Sequence, residues 1–185
     1  MKLFLLIGVL LSAVSNFLLE PAWAQPQKKT VTEEAIPALR VSLSANKLSF
    51  RKTDDIKLQA NLINPDFNKD VFIYGELDWG HLASFTLYVE DAKGKRVTSR
   101  FYDDALTPPR TGDTTEFVKL RPQHILGTFY SSTIHELNIE RPGVYRIYAE
   151  YHSPLSSSEI ELQPFFGREQ GTLRSNVVEI RVVQR

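Results

Sequence analysis

Five residues, Asp66-Phe67-Asn68-Lys69-Asp70, place oxygen-bearing side chains at alternate positions, the spacing that opens a calcium loop. Such a loop needs glycine at its sixth position and a bidentate glutamate at its twelfth. Here those positions are Val71 and Leu77, so the segment reads as a polar turn between strands. A little further on, Gly75-Glu76-Leu77-Asp78-Trp79-Gly80-His81 gathers two carboxylates and an imidazole, donor types suited to zinc or to acid–base work. The sequence supplies no third and fourth ligand, and the stretch reads as a loop around an anchoring Trp79. His124, His135 and His152 fall on separate elements and share no metal-binding spacing. Covalent catalysis lacks both a Gly-x-Ser-x-Gly elbow and a cysteine. Asp103 and Asp104 are adjacent on a loop and point different ways. The sequence therefore predicts no enzyme, no catalytic residue, no metal ligand and no cofactor.

Aromatic residues are the more informative surplus. Phe101-Tyr102, Phe129-Tyr130 and Phe165-Phe166 put neighbouring rings on opposite faces if the chain is extended. Tyr148 shares the outward face of its strand with Arg146 and Glu150. Two readings follow. Exposed rings would make a recognition surface for a protein or a sugar, because they offer area at low entropy cost. Alternatively, the long connections over 103–114 and 153–172 fold across the sheets and cover them. On the first reading Tyr148, Phe165 and Phe166 are the candidate anchors. Arg110, in Pro108-Pro109-Arg110-Thr111, is the candidate contact of an inhibitory loop.

The N-terminus predicts export. Lys2 precedes an apolar run from Leu3 to Leu19, and Ala22-Trp23-Ala24 supplies a small-x-small cleavage pattern. Residues 1–24 read as a signal peptide, 25–38 as a flexible leader, and 39–185 as one domain. A retained anchor is the alternative, since the apolar run is near the lower length limit for a span; after cleavage no stable membrane span is expected. With 22 basic and 22 acidic residues the formal net charge is zero, which gives no sign of nucleic-acid binding. The lack of cysteine excludes disulfides and thiolate chemistry, and leans towards a periplasmic or extracellular protein of bacterial type.

The elements that must position these residues are strands. Leu39, Val41 and Leu43 alternate with polar residues, as do Ile56, Leu58, Ala60 and Leu62, then Phe85, Leu87 and Val89. Val71–Tyr74, 96–98, Glu116–Leu120, 128–139 and 178–182 add others, and Asp91–Lys95 marks a hairpin. Pro142-Gly143 turns the chain into a strand that carries Tyr145, Ile147, Ala149 and Tyr151 on one face. Gly143 is expected to supply positive φ there. Seven to nine strands with turn signals between them predict an all-β Greek-key sandwich, with a closed barrel as the alternative.

A ladder of segments carries a family resemblance: 41–50, 56–64, Asp91–Lys95, Val118–Pro122, Pro142-Gly143-Val144-Tyr145 and 175–182. It resembles bacterial immunoglobulin-like modules and is similar to the non-catalytic domain of deuterolysin-type peptidases. It is also similar to the intracellular proteinase inhibitor fold. The resemblance implies an immunoglobulin-like β-sandwich in which the Tyr145 hydroxyl bonds backbone upstream. The His-Glu-x-x-His motif of the peptidases is missing, and export departs from the intracellular inhibitors. The functional expectation is an exported, non-catalytic module that binds a protein or cell-envelope partner. A secreted protease inhibitor and a carbohydrate- or metal-binding module are the alternatives, and oligomeric state stays open.

Overall fold

The structure, a computed structural model, describes residues 36–80, 83–97, 112 and 114–184. They lie within one compact unit, Glu34–Arg185. The expected signal peptide, the leader up to residue 35, His81, Phe101, Tyr102, Asp103, Asp104 and Arg110 lie outside the described residues.

In chain order the strands are β1 (Arg40–Ala45), β2 (Ser49–Arg51), β3 (Asp55–Ile63), β4 (Val71–Tyr74), β5 (Phe85–Asp91) and β6 (Arg96–Val97). They continue with β7 (Phe117–Leu120), β8 (Ile125–Thr133), β9 (Gly143–Tyr151), β10 (Leu173–Arg174) and β11 (Val178–Val183). The fold is all-β. Eleven strands are seen among the described residues, against an expected seven to nine. The two unforeseen ones, β2 and β10, are too short for alternation to reveal them.

The strands form a three-stranded sheet β1-β3-β8, a larger sheet β2-β11-β9-β5-β6 with β10 also on β9, and a pair β4-β7. Alternation decides which face of each strand is inward. Ile56, Leu58, Ala60 and Leu62 of β3 are fully buried, and they share one core with Phe85, Val89, Ile147, Ala149, Tyr151 and Ile180 of the larger sheet. Each large aliphatic side chain in that core contributes about 1.5–3 kcal/mol by leaving water. Among the described residues no helix is long and apolar enough to cross a membrane.

Tyr145 is buried, and its hydroxyl donates to the Arg141 carbonyl at 2.8 Å. Gly143 departs from expectation. It is not among the residues with positive φ; a Cβ added there would meet the Tyr145 ring at 3.7 Å, an ordinary contact.

The expected strand over 128–139 starts and ends earlier than its alternation suggests. β8 stops at Thr133, where Thr133 and Glu136 cap a turn reciprocally. The Glu136 backbone N–H donates to Thr133 Oγ1 at 3.1 Å, and the Glu136 carboxylate accepts from the Thr133 backbone N–H at 2.9 Å. Ile134 and Leu137, three apart on that turn, both reach the core. The Thr-x-x-Glu spacing is the capping-box signature, and it overrides the period-two pattern.

The 153–172 insertion is stitched to the sheet pair. Phe72 donates its backbone N–H to the Pro164 carbonyl and accepts at its own carbonyl from Phe166, at 2.8 and 2.9 Å. Partial burial works against ionisation of Glu169, yet hydrogen bonds from Ser157 and neighbouring groups outweigh it and hold that carboxyl down at about 2.

Candidate functional site

Of the contact residues expected from the sequence, Tyr148, Phe165 and Phe166 fall within the described residues. Phe165 and Phe166 are not exposed anchors. Extended backbone sends them to opposite sides, as expected, but both sides are covered. Phe165 packs in a second core with Tyr74, Phe117, Leu155 and Ile160, edge-on to Phe117 at 5.6 Å. Phe166 enters the main core beside Tyr151. The insertion carries these two rings inward instead of presenting them.

Tyr148 does stand on the outer face of β9, yet only 2% of it is accessible. β9 is central in its sheet, so neighbours flank the ring on both sides. Tyr88 of β5, its register partner, stacks on it at 5.1 Å and 25°. The Arg174 guanidinium, brought by β10, lies 3.6 Å from its centroid, and Arg96 lies 4.1 Å from that of Tyr88. The Tyr148 hydroxyl donates to Glu90 at 3.2 Å and accepts from Arg96 at 3.4 Å. Burial first, then the charge of Glu150, pushes the Tyr88 hydroxyl above its ordinary range. The group is an Arg–Tyr–Tyr–Arg stack in which the Tyr148 hydroxyl is bonded on both sides, and Tyr148 is corrected from exposed anchor to covered ring. Sequence alone gave Tyr148 the right face but not its cover, because Arg96 and Arg174 are distant in the chain.

The outer face of β1-β3-β8 is different. Register aligns Ser44, Gln59 and Phe129 in one row, Ser42, Asn61 and Gly127 in the next, and Arg40, Ile63 and Ile125 in a third. Gln59 donates to Asn61 at 3.1 Å, and Asn61 to the Ser42 hydroxyl at 3.3 Å. Gly127 leaves room for that chain, since a Cβ there would sit 2.5 Å from Asn61 Oδ1. Phe129 is 69% exposed and Ile125 60%. A shallow depression of about 270 Å³ lies beside Phe129, lined by Ser44, Asn46, Lys57 and Gln59 among others. The Phe129-Tyr130 pair foretold one outward ring here, and Tyr130 turns to pack on the core.

The other candidate chemistry resolves into local structure. The Asp66 carboxylate accepts the backbone N–H groups of Asn68 and Lys69 at 2.7 and 3.0 Å, which lowers its pKa, and Asp70 pairs with Lys119 at 3.3 Å. Glu76 accepts from the Tyr74 hydroxyl at 2.8 Å. Trp79 is the anchor expected, stacked on Phe85 at 5.1 Å. Among the described residues no group of three or more His, Cys, Asp or Glu could hold a metal ion.

No family model matches the chain, and no curated protein matches it. Among solved structures it is similar to a β-glucosidase from Erythrobacter marinus, at 12% identity and a TM-score of 0.36. The likeness covers 79% of this chain and 15% of that one. That neighbour is an enzyme, whereas the sequence predicts none here, and the expectation is not carried forward. A likeness so distant assigns this chain neither an activity nor a fold.

Proposed function

We propose that the chain is an exported interaction module, periplasmic or extracellular, with an immunoglobulin-like Greek-key sandwich fold. It holds a protein partner against the outer side of β8. The fold reading is supported by the Tyr145–Arg141 hydrogen bond, of tyrosine-corner type, and by sheets that share one core. Export is supported by the charge, apolar run and cleavage pattern of residues 1–24.

The observation that carries the binding reading is Phe129. Among the described residues, no ring or cation covers it, while Phe72, Tyr88 and Tyr148 on other strands are stacked or capped; Phe67, 79% exposed, lies on the turn before β4 and not on a sheet. A bare ring on the same strand face as a second exposed apolar residue is the composition of a contact surface, since such rings dominate the energetics of interfaces. The test is a photoreactive phenylalanine analogue placed at 129 or at 148 in the exported protein, followed by irradiation of intact cells. Adducts are expected at 129 and not at 148. Adducts at 148 alone, or at neither position, overturn the reading.

A further inference from the structure

The edges of the sheets differ in how they are closed, and the difference names a partner. Terminal strands invite pairing unless they are short, charged, bent or covered. In the larger sheet the terminal strands β2 and β6 have three and two residues, and each contains an arginine. The outer edge of β1 is sealed by Asn176, whose side-chain oxygen accepts from the Leu43 backbone N–H at 2.8 Å and whose amide donates to the Leu43 carbonyl at 3.0 Å. β4 is covered by Pro164 and Phe166, and β7 is four residues long with a lysine.

β8 has such a device only at its last residue, where the Glu136 carboxylate accepts from the Thr133 backbone N–H at 2.9 Å. It runs nine residues, Ile-Leu-Gly-Thr-Phe-Tyr-Ser-Ser-Thr, with no charge and no proline. It pairs with β3 along its whole length and is last in its sheet among the described residues.

The strand is also complementary to itself. Laid antiparallel on a copy with the two-fold axis at Phe129, its outer face sets Phe129 against Phe129 and Gly127 against Ser131; Thr133 keeps its backbone N–H on Glu136 and its carbonyl on Leu137, so the pairing spans 127–131. Ring meets ring at the axis, a pairing that stabilises antiparallel neighbours. A charge near the axis would sit close to its own copy and repel it; β8 itself carries none, and the Glu136 carboxylate lies at its Thr133 end. The zero formal net charge of the chain adds no long-range repulsion. We propose that the partner at β8 is a second copy of this chain, joined edge to edge so that two three-stranded sheets become one of six. This rests on β8 being the contact strand.

Two measurements test it on protein purified after export. Sedimentation across a hundredfold concentration range should show the wild type reaching twice the single-chain mass. Phe129→Lys and Ser131→Lys should stay monomeric with unchanged circular dichroism, whereas Leu48→Lys, at an exposed apolar residue outside β8, should dimerise like the wild type. The chain has no cysteine, so a single introduced thiol reports register. Residues directly opposite on antiparallel strands have Cα atoms about 4.5–5.5 Å apart, within disulfide range. Phe129→Cys should therefore cross-link to its copy on mild oxidation. Ser131→Cys should not, because its own copy lies roughly 13 Å away along the strand. A wild type that stays monomeric, cross-linking at 131 rather than 129, or dimers lost only in Leu48→Lys would each overturn the self-pairing. If the wild type is monomeric yet position 129 still photo-cross-links to another protein, the self-pairing fails and the interaction module stands. If position 129 also yields no adduct, both fall.

Discussion

Tyr148 and Phe129 are both rings on outward faces of strands, and only one of them is exposed. Tyr148 lies on β9, which has β5 on one side and β10 and β11 on the other. Those neighbours deliver Tyr88 and Arg174 over it, and Arg96 of β6 reaches across β5 to cap Tyr88 and bond the Tyr148 hydroxyl. Phe129 lies on β8, with β3 on one side, and the side chain in register with it is the amide of Gln59. The face on which a ring stands is set by its own alternation, but its cover is set by the adjacent strands. Position within the sheet, more than residue type, separates a structural ring from one available for contact.

The largest expected effect breaks the comparison from the inside. Phe165 has no accessible surface and is enclosed by Phe117, Tyr74, Leu155 and Ile160. Truncation to Ala removes most of that burial and leaves a cavity, for about 3–5 kcal/mol of lost stability. Chemical denaturation of Phe165→Ala against wild type checks this. A loss below about 1 kcal/mol, within the range of a surface substitution, would mean that the insertion does not hold the ring inside.

A middle-sized effect concerns the cover on Tyr148. If the guanidinium stabilises the ring, Arg174→Gln and Tyr148→Leu should not be additive. The coupling expected for a cation over an aromatic face is about 0.5–2 kcal/mol, larger as the contact loses water. Tyr148 is almost wholly buried but Arg174 is exposed, so the lower half of that range applies. Urea unfolding of the two single variants and the double variant measures it. Additivity within a few tenths would show Arg174 to be a neighbour without energetic consequence, and the contrast with Phe129 would rest on area alone.

Much of this was legible in the sequence wherever one strand's own alternation governed the outcome. The inward rows of β3, β5, β9 and β11 follow from local pattern, and the bond made by Tyr145 was implied by the family resemblance. Two local failures have local causes. Thr133 and Glu136 cap a turn where alternation favoured strand, and Gly143 has a conformation open to other residues. The remaining misses depend on partners remote in the chain. Arg174 covers a ring on β9 through β10, a two-residue strand with no periodicity to read. Asn176 seals β1 from 133 residues away. Phe165 and Phe166 were correctly split between two faces, but only the backbone bonds from Phe72 reveal that both faces are enclosed. Function was the least legible because the candidate surface is marked by what its flanking strand fails to supply.

The smallest expected change in stability belongs to Phe129, and there a small number is informative. A ring 69% exposed has little burial to lose, so Phe129→Ala should alter the unfolding free energy of the isolated monomer by no more than about 0.5 kcal/mol. The sign is open within that range, because the substitution removes both a β-favouring residue and an exposed apolar surface. Measurement at concentrations low enough to keep wild type and variant monomeric separates this from any stabilisation by association, which scales with protein concentration. A loss of about 2 kcal/mol in the dilute monomer would show that Phe129 is packed within its own chain, as Tyr148 is. The two rings would then be the same kind of residue, and the contact surface on β8 would have no anchor.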